Sequence, residues 1–238
     1  MCRLSILLQI IRKNLEAVQA RVAAACDRVR RSDNDIELVA VTKYAEWEWV
    51  QHLAQLHRRF GENRPQQLAE RQPQIQDASW HLIGQLQRNK CRQAVLHADV
   101  IHSVDSLRLL ERVRRVALEE QQTVQLLIQV NVSGEESKSG FEPAELVQAW
   151  DTIAEQSTPC APIIGLMTMA PRTDGPEATR PFFRQLRELR DQLNEQQPQT
   201  PLTDLSMGMS GDFEVAVEEG ATLIRVGSAL FQGLEAVS

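Results

Sequence analysis

The sequence predicts a single (β/α)8 barrel of the TIM type, an α/β fold with an extra N-terminal helix. Eight short apolar runs alternate with longer helical patterns, as parallel strands joined by helical crossovers require. The chain has 238 residues, 42% of them hydrophobic, enough for one sizeable core. No Pro/Gly/Ser linker divides it, so residues 1–238 are expected to form one domain. A doubly wound open sheet has the same alternation, because periodicity does not distinguish an open sheet from a closed one.

The elements follow in order. Leu4, Leu7, Leu8, Ile11, Leu15, Val18 and Val22 have helical spacing and predict an amphipathic helix over about 4–31. Ala23 to Cys26 looks like a lipoprotein cleavage box, but Arg12, Lys13, Glu16 and Arg21 argue against a secretory signal. Ile36 to Thr42 is short, continuous and β-branched, the pattern of a buried parallel strand. A helix from Trp47 to Arg58 follows, then Arg59 to Asn63 and a helix near Gln66 to Arg71. Trp80 to Gly84 and Asp99 to His102 are the third and fourth strands, with a helix from about Asn89 to His97 between them. Ser106 is placed to cap a helix running to Gln121. Val124 to Val132 is the fifth strand, and Pro143 opens the next helix at a favoured first-turn position. Pro162 to Met169 is the sixth, followed by a helix from Glu177 to Glu195. Thr203 to Met207 and Thr222 to Val226 are the seventh and eighth, with a helix near Asp212 to Glu219 between them.

Composition narrows the partners. The net charge is −6, with no basic block, which argues against nucleic acid. No run approaches the roughly 18 apolar residues of a membrane span. Cys2, Cys26, Cys91 and Cys160 lack CxxC pairing and His neighbours, so free thiols in a reducing cytoplasm are expected, with no metal site.

Only four of the 26 basic residues are lysines: Lys13, Lys43, Lys90 and Lys138. Lys43 ends the first buried strand. Partial desolvation there favours the neutral, nucleophilic amine that a Schiff base needs. Ser210, at the turn before Asp212, is expected to cap the following helix and offer its hydroxyl to an anion. Gly227 permits close backbone approach after the eighth strand, and Ser228 adds an N–H and a hydroxyl. Phosphate sites after strands seven and eight recur in these barrels. A phosphate-bearing aldehyde would be anchored there and captured by Lys43 on the other side. Asn63 and His81 lie at strand candidates and are expected at the pocket, although turn capping and core packing suit them too. Met207 and Met209 are candidates to pack on a ring, against the ordinary core-filling role of methionine. Lys90 and Lys138 fall in loops on the same face; each is a candidate for a secondary amine, against the ordinary reading of a solvated loop lysine.

These segments closely resemble the pyridoxal phosphate homeostasis protein family (the YggS/PROSC family). The matching stretches are VAVTK (Val39 to Lys43), FGEN (Phe60 to Asn63), WHLIGQLQRNK (Trp80 to Lys90) and IHSVDS (Ile101 to Ser106). QVNVSGEESKSGF (Gln129 to Phe141), GLMTMAP (Gly165 to Pro171) and the run from Leu205 to Gly233 complete the match, with Gln232 inserted before the last glycine. The resemblance implies a fold-type III barrel similar to the N-terminal domain of alanine racemase. It implies pyridoxal 5'-phosphate (PLP) as cofactor, held as an internal aldimine on Lys43. It also implies that Ser210, Gly227 and Ser228 hold the phosphate and that Arg225 faces the pyridine nitrogen. PLP-dependent apoenzymes are the partners it suggests. Many relatives carry a second lysine where this chain has Ala45, so a relay through that position is not expected here.

The function expected from the resemblance is cytoplasmic PLP homeostasis without robust catalytic turnover. The alternative is a racemase-like PLP enzyme, which needs an acid/base on each face of the cofactor. The one tyrosine, Tyr44, adjoins Lys43, and strand alternation would turn it away from the cofactor. The sequence has no second β domain after the eighth strand unit, which favours the carrier reading and predicts a monomer.

Overall fold

The computed structural model describes residues 3–135 and 138–234. Eight parallel strands close into a barrel in sequence order, so the open-sheet alternative does not hold. The strands are β1 (Glu37–Val41), β2 (Arg59–Glu62), β3 (Ser79–Leu82), β4 (Val100–Val104), β5 (Gln125–Gln129), β6 (Ile163–Met167), β7 (Asp204–Met209) and β8 (Leu223–Val226). Closure pairs β1 with β8, with Val39 opposite Arg225 and Ala40 opposite Val226. The predicted N-terminal helix is α1 (Arg3–Val29). The crossover helices are α2 (Trp47–Leu53), α3 (Pro65–Arg71), α4 (Cys91–His97), α5 (Leu107–Glu119), α6 (Pro143–Ala154), α7 (Arg180–Gln196) and α8 (Phe213–Glu218).

Strand alternation divides the core into two layers. Val39, Val100, Leu127, Met167 and Leu223 form a small cluster inside the barrel. The opposite strand faces, including Ala40, Phe60, Trp80 and Leu205, join the helices in the main core. α1 packs on α2 and α8 through buried Ile11, Leu15, Val18 and Val22. Arg21 reaches Glu214 at 2.7 Å and Arg28 reaches Glu218 at 2.5 Å, tying α1 to α8.

Three local expectations change. β5 stops at Gln129, short of Val132, because the polar loop folds back on it: the Phe141 N–H donates to the Gln129 carbonyl at 2.9 Å and the Asn131 N–H to the Phe141 carbonyl at 3.0 Å. Ser106 holds the N-cap position of α5, but its hydroxyl goes to Asp105 at 3.2 Å. Ser210 does not cap α8. Asp212 takes the N-cap position and its carboxylate accepts the Met209 N–H at 2.6 Å. Cys26, Cys91 and Cys160 are free thiols, and Cys2 lies outside the described residues. Among the described residues no helix is long and apolar enough to cross a membrane.

Candidate functional site

Side chains at the C-terminal ends of the strands surround a cavity of about 720 Å³, within the range of small-molecule sites. Seven of the nine residues expected from the sequence line it: Lys43, Asn63, Met209, Ser210, Arg225, Gly227 and Ser228. The other two do not. Met207 is fully buried in the main core; alternation alone would put Met209 on that same face, but Gly208, at φ 90°, and the register shift between Ser206 and Met209 break the alternation and bring Met209 to the cavity. His81 is buried inside the barrel, hydrogen-bonded to His102 and Ser79, and does not reach the cavity wall.

Lys43 is half-buried in a turn two residues past β1. The turn is held from outside the barrel. Arg71 of α3 donates to the Thr42 carbonyl at 2.8 Å and to the Ala45 carbonyl at 3.0 Å. The same guanidinium meets the fully buried Glu62 at 2.7 Å, and Thr42 Oγ1 donates to that carboxylate at 2.5 Å. Burial pushes the Glu62 carboxyl above its usual range, while Thr42 and Arg71 pull the other way. Tyr44 is in this turn and not in the strand, so alternation does not govern it. Its ring lies 5.2 Å from Lys43 Nζ, beside the amine, on the same cavity and 88% exposed.

The two Gly/Ser turns, expected from the sequence to bind phosphate, lie next to Lys43 and not across the mouth, because β8 neighbours β1 and β7 neighbours β8. The Gly227 N–H donates to Ser210 Oγ at 3.2 Å, which joins the two turns and leaves the serine proton to donate elsewhere. A Cβ on Gly227 would sit 3.2 Å from the Val41 carbonyl oxygen, so glycine lets β8 turn tightly against β1. A Cβ on Gly211 would meet nothing within 4 Å, so the space beside Ser210 is open. Gly208, at φ 90°, bends the chain into this turn. Hydroxyl groups, free backbone N–H groups and an amine within one cavity fit a small phosphorylated aldehyde.

Arg225 lies on the cavity floor, 5% exposed. Nη1 donates to Ser206 Oγ at 2.5 Å and Nη2 to the Thr168 carbonyl at 2.9 Å. Burial draws the guanidinium down to about 10, with Asp212 opposing, so it is charged at neutral pH.

Gln129, Met169, Ile83 and Lys138 also line the cavity and were not among the expected site residues. Gln129 and Ile83 stand at or just past a strand's C-terminal end, the position that marks ligand contacts in a barrel. Lys138 is not simply a solvated loop lysine: it faces the cavity and pairs with Glu135 at 2.9 Å. Lys90 does not line the cavity. It closes a short 3-10 turn before α4.

The family model described as alanine racemase, N-terminal domain, matches residues 13–235. A pyridoxal phosphate homeostasis protein of Aquifex aeolicus is 38% identical over 222 residues, covering 92% of this chain and 96% of that protein. One from Vibrio cholerae is 36% identical, covering 93% and 95%. The structure of PipY from Synechococcus elongatus with PLP bound has a TM-score of 0.77 at 38% identity, covering 88% of this chain and 99% of that one. An alanine racemase of Clostridium difficile has a TM-score of 0.73 at 15% identity, a likeness of fold alone.

Proposed function

We propose that this chain, which belongs to the alanine racemase N-terminal domain family and within it to the pyridoxal phosphate homeostasis proteins, binds PLP and serves intracellular PLP homeostasis in the cytoplasm. The observation that carries this reading is the grouping of Lys43, Ser210, Gly227, Ser228 and Arg225 around one cavity. Lys43 would hold PLP by its aldehyde, as the amine nearest the two Gly/Ser turns. Ser210 and Ser228 hold the phosphate, and the Gly227 N–H fixes the Ser210 hydroxyl. Asn63 lines the wall beside them.

Bound PLP supplies a reactive aldehyde and an electron-withdrawing ring. Arg225 faces the ring nitrogen in this reading. A guanidinium donates hydrogen bonds without giving up its proton and has no lone pair to accept one, so it would keep that nitrogen unprotonated and the ring a poor electron sink. This supports a carrier that shields the aldehyde, without robust turnover of its own. The relatives' shared name supports it too, while the likeness to alanine racemase extends only to fold. PLP-dependent apoenzymes are the partners that such a carrier would supply.

The test is spectroscopic. Wild-type protein given PLP should develop a visible absorption band that Lys43→Ala lacks, and a wild type that stays colourless would sink the reading. Ser210→Ala combined with Ser228→Ala should weaken PLP retention. Sustained interconversion of L- and D-amino acids by the PLP-loaded protein would favour a racemase instead.

A further inference from the structure

Below the cavity floor, a line of polar side chains crosses the buried barrel interior. Arg225 Nη1 meets Ser206 Oγ at 2.5 Å, and Ser206 Oγ meets His102 Nδ1 at 2.8 Å. His102 Nε2 meets His81 Nδ1 at 2.8 Å, and His81 Nε2 meets Ser79 Oγ at 3.2 Å. The line runs from β8 through β7 to β4 and β3, so it links strands on opposite sides of the barrel. Ser206 and His102 are fully buried and His81 nearly so.

Chemistry gives the line a direction. A guanidinium only donates, so Ser206 Oγ accepts from Arg225. Ser206 has one proton, and among the described residues the only acceptor in reach of it is His102 Nδ1. If His102 donated to Ser206 instead, the serine proton would be left unpaired in the interior, at the cost of an unmade buried hydrogen bond. His102 is therefore neutral with its proton on Nε2, which it donates to His81 Nδ1. His81 is neutral in the same way and donates from Nε2 to Ser79. Every donor points away from the cavity.

We infer that His102, acting through Ser206, is a positioning residue that fixes the Arg225 guanidinium on the cavity floor, with His81 and Ser79 completing a one-way hydrogen-bond chain. The Thr168 carbonyl holds the second terminal nitrogen, so Arg225 is gripped at two points and keeps its remaining N–H groups for the cavity. Neutral imidazoles add no second positive charge beside Arg225. Burial holds both rings in that state, drawing His81 down to about 3 and His102 well below its ordinary value. The inference rests on the proposed placement of Arg225 against the PLP ring, but the chain itself exists without PLP.

The experiment has two arms. In the PLP-free protein, 15N NMR should show both imidazoles neutral and protonated on Nε2, and the opposite tautomer at His102 would overturn the direction of the chain whether or not PLP binds. With PLP, His102→Leu should shift the pH midpoint of the visible band and weaken retention on the order of tenfold, the equivalent of one buried hydrogen bond. His102→Gln, whose amide can accept from Ser206 and donate to His81, should restore both. Ser206→Ala should reproduce the leucine spectrum with little change in volume, and it decides the matter if His102→Leu fails to fold. A visible band in wild type that neither His102→Leu nor Ser206→Ala moves, with only the melting temperature altered, would reduce the chain to a structural role and leave PLP binding intact. No band in wild type would instead remove the PLP reading on which the spectral arm depends.

Discussion

Arg71 lies 2.7 Å from Glu62, a carboxylate with no solvent exposure, and gives further donors to the carbonyls of Thr42 and Ala45 on either side of Lys43. The pair is thus a clasp on the turn that presents the amine. Breaking a buried pair by removing one partner leaves the other charge uncompensated, at about 3–5 kcal/mol. Glu62→Ala and Arg71→Ala are each expected to lower stability by an amount of that order in urea unfolding. Both should also slow or reduce loading of Lys43 with PLP. Wild-type loading in a folded Arg71→Ala protein would mean that the turn holds its shape without the clasp.

Gly208 is strained for any other residue. Its φ is 90°, and a Cβ there would lie 2.5 Å from the Ala216 Cβ and 3.0 Å from the Phe213 Cα. Neither atom is the free end of a flexible side chain, so α8 would have to move. Gly208→Ala is expected to cost about 1–3 kcal/mol from the backbone conformation alone. Because the displaced segment leads into Ser210, PLP retention should fall with it. A crystal structure or a melting curve matching wild type would refute this.

The barrel was legible because eight buried strands leave an unbroken apolar rhythm, and Lys43, Ser210, Gly227 and Ser228 because glycine, serine and lysine at strand ends stand out by residue type. Met207 does not share the cavity with Met209, although alternation puts the two on one face, because Gly208 between them, at φ 90°, breaks the strand's regular course and only Met209 meets the cavity. Tyr44 stands beside Lys43 and not opposite it, but not for the reason alternation gives, because Lys43 already stands in a turn, where the period of two has ended. The Ser206–His102 contact spans 104 positions and crosses the barrel interior, so no local pattern announces it. His81 looked like a pocket residue or a core histidine, and only the closed barrel reveals the third possibility, a link in a chain beneath the floor.

Glu219 fastens α8 to α7. Its buried carboxylate meets Arg180 at 3.1 Å, Arg184 at 3.2 Å and Arg187 at 2.9 Å. Burial alone would raise its pKa, but the hydrogen bonds and charges of the three arginines outweigh that and hold it below the usual range. A lowered carboxylate contributes stability that is present above its unfolded value and is lost as the pH falls through its folded value. Glu219→Gln is expected to destabilise the fold by about 1.5–3 kcal/mol at neutral pH, the scale of a hydrogen bond to a charged group. The deficit should shrink below about pH 4, where the wild-type carboxylate also loses its charge. A constant deficit across that range would show that packing, and not charge, is what the glutamate provides.

The buried imidazole pair gives the opposite half of the acid response. An unfolded histidine takes its proton near pH 6.5. In the fold, burial first, then Arg59 and His57, bring His81 down to about 3, while burial, His81 and Arg225 bring His102 well below 6.5. The unfolded chain therefore binds more protons than the folded one below about pH 6.5. This contribution to stability is complete above that value and declines as the pH falls toward the folded values. The slope is at most about 1.4 kcal/mol per pH unit for each histidine. The urea midpoint is accordingly expected to drop between about pH 7 and pH 5, before Glu219 titrates. Burial also lowers His57, so His102→Gln removes one of three such rings and should flatten that drop by about a third. A urea midpoint that is level across this interval in wild type would mean that the imidazoles are reached by protons without unfolding.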